Sequence, residues 1–245
     1  MAHVDLCSGI GGFALGFEWA GLSKPVLFCD IEPWSRKILR KHWPDVPIAE
    51  DVKELANDPD GLILHCDILT AGYPCQPFSL AGERRGAEDD RHIWPYIFSI
   101  IQAKRPSWCV FENVYGHVSM GLDEVLSDLE GEGYAARPFI VPACAADAPH
   151  RRDRVWIIAR NVADSNSAGL QGRQNARDTS QSRAQRDKQF ARRSERPDGQ
   201  NWLAEPAVGR VAHGIPRRVD RLRGLGNAIV PQIAMRIGET IKACQ

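Results

Sequence analysis

The sequence predicts an α/β fold built on a mostly parallel, doubly wound sheet. Three observations lead there. Through residues 1 to 160, apolar runs of strand length alternate with segments of helical spacing. A glycine-rich turn, "SGIGG", joins the first strand-like run to the first helical one. Another run, "WCVF", leads straight into an acid, Glu112. The carboxyl end of a strand is where open α/β sheets form their sites.

The elements follow in order. "AHVDLC" reads as a strand, "FALGFEWAG" as a helix, and "PVLFCD" as a second strand ending in an acid. "PWSRKILRKHW" is a helix, and "LILHCDILTAGYP" includes a third strand. "HIWPYIFSIIQAKRP" is a helix, "SWCVFENV" a fourth strand, and "LDEVLSDLEGEGY" a helix. "AARPFIVPA" and "RRDRVWIIARN" add two strands. The chain closes on "NAIVPQIAMRIGETIKACQ", whose apolar residues recur at near-helical spacing behind Pro231 in the first turn.

One stretch breaks this pattern. Among the 38 residues from Asp164 to Asn201, only Leu170 and Phe190 are large and apolar, and seven Arg and one Lys face five acids. Such a stretch does not build a core alone, and it is expected to be partly flexible. Three regions follow: an α/β domain at 1–160, a short polar region at 161–216, and a closing segment at 217–245.

The formal net charge of zero hides an asymmetry. Residues 1 to 150 hold 12 Lys+Arg against 22 Asp+Glu, and residues 151 to 245 hold 19 against 9. Arginine dominates the basic half, and its planar fork suits phosphates and base edges. A nucleic-acid partner is one reading of this, a solvated charged face the other. The seven cysteines form no CxxC pair, so neither a zinc site nor a disulfide framework follows. No apolar run is long enough to span a membrane and no secretory signal opens the chain, which predicts a cytoplasmic protein without a membrane partner.

Two stretches carry chemistry. In "DLCSGIGGFALG", Gly9, Gly11 and Gly12 permit a tight turn and close approach of a ligand. Asp30 lies at a spacing suited to a ribose. NAD, FAD and S-adenosylmethionine all fit this much. In "GYPCQPFS", Cys75 sits between Pro74 and Pro77. Prolines stiffen the backbone and so aim a side chain, which a cysteine kept for packing does not need.

Together with "ENV" at 112–114, "HRRDR" at 150–154 and "GLGNAIVPQ" at 224–232, these stretches resemble the DNA cytosine-5 methyltransferase family. The likeness covers about 1–160 and 217–235, with the motifs in order. The short polar region is similar to that of phage and prophage members. The resemblance implies S-adenosylmethionine as cofactor, S-adenosylhomocysteine as product, and duplex DNA as substrate. It implies a cofactor site of Asp5, Cys7, Gly9, Ile10, Gly11, Gly12, Asp30, Ile31, Asp51, Val52, Pro74, Asn227 and Ala228. Asp30 would hold the ribose, and Asp51 and Val52 the adenine.

The resemblance also assigns the chemistry. C5 of cytosine is a poor nucleophile until a thiolate adds at C6, and Cys75 would supply that thiolate. Glu112 would contact N3 and the 4-amino group. Arg152 and Arg154, alternating on a strand and so on one face, would favour the thiolate and orient the base. The base must be flipped from the duplex to react. Gln76, Ser79, Arg84 and Arg85, in the polar loop after the nucleophile, would reach DNA.

Departures are visible. Cys7 stands where the family usually has an aromatic residue, and His150 replaces a glutamine. The region between the arginine motif and the final motif is short for a target-recognition domain. Three alternatives are a tRNA cytosine-5 methyltransferase, a catalytically silent DNA-binding relative, and a dinucleotide oxidoreductase. Intact Cys75, Glu112 and Arg152 oppose the second, and nothing after the glycine loop supports the third. A monomer is expected.

Overall fold

The computed structural model describes residues 1–74, 93–146, 151–162 and 228–245. All of them belong to one compact unit. The chain runs through β1 (Ala2–Leu6), α1 (Gly12–Trp19), β2 (Lys24–Cys29), α2 (Pro33–His42), β3 (Ile48–Ala49), α3 (Val52–Asn57) and α4 (Pro59–Leu62). It continues through β4 (Ile68–Ala71), α5 (Trp94–Lys104), β5 (Trp108–Val114), α6 (Leu122–Gly131), β6 (Tyr134–Pro142), β7 (Asp153–Asn161) and α7 (Pro231–Ala243).

The strands form one seven-stranded sheet in the order β3-β2-β1-β4-β5-β7-β6. Strands β1 to β5 are mutually parallel, and β7 runs antiparallel to both β5 and β6. The chain works outward from β1 through β2 and β3, then restarts on the other side at β4. That reversal opens a crevice at the carboxyl ends of β1 and β4.

Both faces are covered, as a mostly parallel sheet requires. Leu55 of α3, Ile97 and Ile101 of α5, and Val125 and Leu129 of α6 pack on one face with Leu69 and Phe111. On the other face Phe13 and Phe17 of α1 join Ile233 and Ile237 of α7, against Ile68, Val110 and Trp156. The α1–α7 crossing is close because glycine lies on both sides. A Cβ on Gly16 would stand 2.6 Å from Ala234 Cβ, and one on Gly238 2.9 Å from Ala20 Cβ.

The strand β3 and the helices α3 and α4 were not expected from the sequence. β3 has two residues, too few for alternation to register. Asp51 caps α3 by accepting from Lys53 N (2.9 Å), and α4 is a single turn begun by Pro59. Arg152 also differs from expectation. β7 starts at Asp153, and Arg152 precedes it with φ 38°, so the two arginines do not simply alternate along one strand.

Candidate active site

The turn after β1 is held in an uncommon backbone shape. Cys7, Gly9 and Gly11 all have positive φ, at 50°, 56° and 83°. At Gly11 there is a second constraint, since a Cβ would lie 2.5 Å from the Trp43 ring. Ser8 fastens the turn to β2: its N–H donates to Cys29 O (3.0 Å) and its hydroxyl to Asp5 O (2.5 Å).

Asp30, just past β2, completes this clasp. Its Oδ2 accepts from Gly9 N (2.7 Å) and its Oδ1 from Glu32 N (2.9 Å). Burial raises its pKa, and the backbone donors oppose that rise. The carboxylate thus links the glycine turn to the start of α2.

A cavity of about 410 Å³ opens at the crevice. Cys7, Gly9, Asp30, Ile31, Asp51 and Val52 line one end. Pro74, Glu112, Arg152 and Arg154 also line it. Ten of the residues singled out from sequence therefore share one space. Its walls carry acids from the β2 and β3 ends and guanidinium groups from the β7 side.

Glu112 is a tightly held carboxyl group of this cavity. It is 8% exposed, and its Oε1 lies 2.8 Å from Arg154 Nε. Val114 pairs with Arg154 and Glu112 with Trp156, so Glu112 and Arg154 are diagonal neighbours across β5 and β7. Burial lifts the Glu112 pKa to about 6, against the pull of Arg154 and Arg152. Burial and the charge of Arg154 lower the Arg152 pKa, and Arg152 Nη2 donates to Ala228 O (3.0 Å). The segment before α7 is thereby tied to the arginine side of the cavity.

Pro74 follows a residue packed among aromatic rings. Tyr73 is 3% exposed, with its ring 5.7 Å from Trp94 and edge-on to Phe111 and His117. Its hydroxyl lies 3.1 Å from His117 Nε2. Gly72 leaves room above: a Cβ there would stand 3.1 Å from Ile229 Cδ1 and 3.8 Å from Glu112 Oε2.

Some expected residues do not line the cavity. Asp5 is fully buried, accepting from Thr70 Oγ1 (2.6 Å), and burial pushes its pKa up to about 8. Ile10, Gly11 and Gly12 shape the turn, and Ala228 acts through its carbonyl. A Cβ on Gly12 would lie 2.9 Å from Ile229 Cβ, so this glycine serves close packing. Cys75, Gln76, Ser79, Arg84, Arg85 and Asn227 lie outside the described residues.

Other lining residues were not anticipated. Trp34, Glu50, Tyr73 and Ile93 all face the cavity. Glu50 and Tyr73 adjoin motif residues, and that adjacency was the available signal. Trp34 read only as a helix residue. Among the described residues, no group of three or more His, Cys, Asp or Glu could hold a metal ion. None of their helices is long and apolar enough to cross a membrane.

This arrangement has counterparts of known kind. The chain is 34% identical over 176 residues to the Type II methyltransferase M2.BsuMI of Bacillus subtilis (strain 168), covering 67% of this chain and 43% of that protein. It is 34% identical over 173 residues to M.NlaIV of Neisseria lactamica, covering 63% and 40%. It thus spans less than half the length of these curated relatives. Its fold matches that of the S. pombe Dnmt2 methyltransferase with a TM-score of 0.67 at 16% identity, over 100% of this chain and 99% of that one. A putative DNA modification methyltransferase from an E. coli prophage matches with a TM-score of 0.55 at 21% identity, over 69% and 49%. The family model for C-5 cytosine-specific DNA methylase matches residues 1–204. With most of its length under that model, the chain belongs to the C-5 cytosine-specific DNA methylase family.

Proposed function

We propose that the chain transfers a methyl group from S-adenosylmethionine to C5 of a flipped-out cytosine in duplex DNA. One observation carries this reading. The buried, arginine-held Glu112 and the residue just before Cys75 line the same cavity as Asp30 and Asp51. This supports a base-binding acid, the approach to a nucleophile and a nucleoside-type site in one space.

The residues fit the cofactor. Ile31, Val52 and Cys7 offer apolar walls to adenine, and Asp30 and Asp51 offer acceptors to ribose hydroxyls and amino groups. The surrounding carboxylates suit a cationic ligand, and the glycine turn lets a ligand approach the backbone. When bound, the cofactor supplies an electrophilic sulfonium methyl.

The protein's own groups then divide the work. Cys75 adds through its sulfur to C6 of cytosine, which makes C5 electron-rich. Glu112 sits at N3 and the 4-amino group, where its acid form donates as charge develops. A pKa near 6 leaves a fraction of that form available at neutral pH. Arg154 fixes the Glu112 carboxyl, and Arg152 binds the Ala228 carbonyl beside it. After methyl transfer, loss of the C5 proton and of the thiolate restores both base and enzyme.

The curated relatives carry names of Type II methyltransferases, and we assign this chain the same modifying role. We place it in the cytoplasm, acting on DNA as a monomer. Gln76, Ser79, Arg84 and Arg85 are proposed DNA contacts, and 161–216 the region of target choice. The test is transfer of labelled methyl to duplex DNA, with tRNA offered in parallel. Labelled 5-methylcytosine in DNA, absent with Cys75→Ser, is expected. Label in tRNA alone would overturn the DNA assignment.

A further inference from the structure

Outside the groups assigned above, a buried guanidinium spans the two loops that flank the nucleoside end of the cavity. Arg36 lies on α2, and only 7% of it is exposed. It does not line the cavity. Its Nη1 donates to Asp30 O (2.9 Å) and to Ile31 O (2.8 Å). Its Nη2 lies 2.9 Å from Glu50 Oε2. Asp30 and Ile31 belong to the loop after β2, and Glu50 immediately precedes Asp51 after β3. The backbone joins the Asp30 loop to the end of β3, through Asp30 N to Ala49 O (3.2 Å).

We propose that Arg36 is a positioning residue for the cofactor: it sets the separation of the Asp30–Ile31 and Glu50–Asp51 loops and hence the fit of the adenosine moiety. This rests on the methyltransferase reading given above. The physical case is one of donor geometry. Two nitrogens of one planar fork serve three oxygens on two loops, and the guanidinium is buried, which strengthens its bond to the buried Asp30 carbonyl most, while the exposed Glu50 carboxylate stays partly solvated. Nε has no hydrogen-bond partner among the described residues, so the contacts run through the two Nη groups. A lysine ammonium is a single point at the end of a flexible stem and does not reproduce a fork that reaches both loops. Nothing in this arrangement touches Glu112 or the approach to Cys75.

The proposal separates binding from chemistry, and its test uses that separation. S-adenosylhomocysteine binding is measured by calorimetry in the full chain and in the Arg36→Lys and Arg36→Met variants. The expected loss of affinity is about tenfold or more, the scale for losing charge-assisted hydrogen bonds, one of them to a buried acceptor. The same factor is expected for 5′-methylthioadenosine, which keeps the adenosine but lacks the amino-acid end. KM for S-adenosylmethionine should rise in parallel, while kcat at saturating cofactor stays within about twofold, the signature of lost uniform binding. Glu50→Gln provides the variant that folds in any case, because the Glu50 side chain is 65% exposed. It should weaken both ligands by a smaller factor.

The outcomes divide cleanly. Wild-type protein that binds no S-adenosylhomocysteine overturns the methyltransferase reading itself. Wild-type binding matched by all three variants overturns the role of Arg36 alone. So does a fall in kcat as large as the rise in KM, or weakened S-adenosylhomocysteine with unchanged 5′-methylthioadenosine.

Discussion

At Asp30, a single carboxylate holds two backbone N–H groups, one on each oxygen. It therefore shapes the glycine turn as well as facing the cavity. Asp30→Ala should weaken S-adenosylhomocysteine binding by about 1–3 kcal/mol, the range for stranded buried partners. Asp30→Asn should be no milder, because an amide must turn its NH₂ toward one of the two N–H donors. Calorimetry on both variants checks this, and wild-type affinity in Asp30→Asn would count against the clasp. Glu112 provides a pH test. Its folded pKa, about 6, lies above its ordinary 4.5. The folded protein therefore holds this proton more tightly than the unfolded chain. The resulting stability is full below the ordinary value and lost as pH rises through about 6. Replacing it with glutamine removes that dependence. The stability of Glu112→Gln relative to wild type should rise by about 2 kcal/mol across this window. Denaturant melts at several pH values measure it, and a flat difference would place Glu112 in a more solvated setting.

Among the elements, α1 and α7 show how the end of the chain supports the site. They cross through Gly16 and Gly238, and Ile229, just before α7, stands over Gly12 and Gly72. Gly16→Val would force the helices apart and should cost about 1–3 kcal/mol, the usual range for overpacking. Urea unfolding gives the value, and a variant as stable as wild type would contradict the close crossing. The strands β1, β2, β4 and β5 were legible in the sequence because their apolar runs are long and their ends polar. The clustering of Asp30, Asp51 and Glu112 was legible through the motifs that carry them. β3 was not, since two residues show no period. Arg152 was misplaced because alternation assumes extended backbone, and its φ of 38° is not extended. Asp5 read as a cavity residue from its motif, yet the burial of β1 on both faces turns it inward to Thr70. Arg36 carried no signal at all. A charged residue in an amphipathic helix reads as surface until tertiary contacts bury it.

Over the whole molecule, the two parts of the sequence differ in charge. Residues 1 to 150 carry about ten more acids than bases, and residues 151 to 245 the reverse. The polar stretch from Asp164 to Asn201 holds eight bases against five acids and lies outside the described residues. Deleting residues 170 to 196 should leave S-adenosylhomocysteine affinity unchanged while weakening DNA binding or relaxing the choice of methylated site. The salt dependence of DNA binding should also flatten, since fewer phosphates are neutralised. Unaltered methylation sites and an unaltered salt slope would make the stretch a passive linker. The central claim, however, is covalent chemistry at one atom. It is tested most directly by incubating the protein with S-adenosylmethionine and duplex DNA containing 5-fluorocytosine, then mapping the adduct by mass spectrometry. Fluorine at C5 blocks the final elimination, so a stable bond from Cys75 sulfur to C6 is expected, and none with Cys75→Ser. An adduct at a different cysteine, or methylation of ordinary DNA by Cys75→Ser at the wild-type rate, would contradict it.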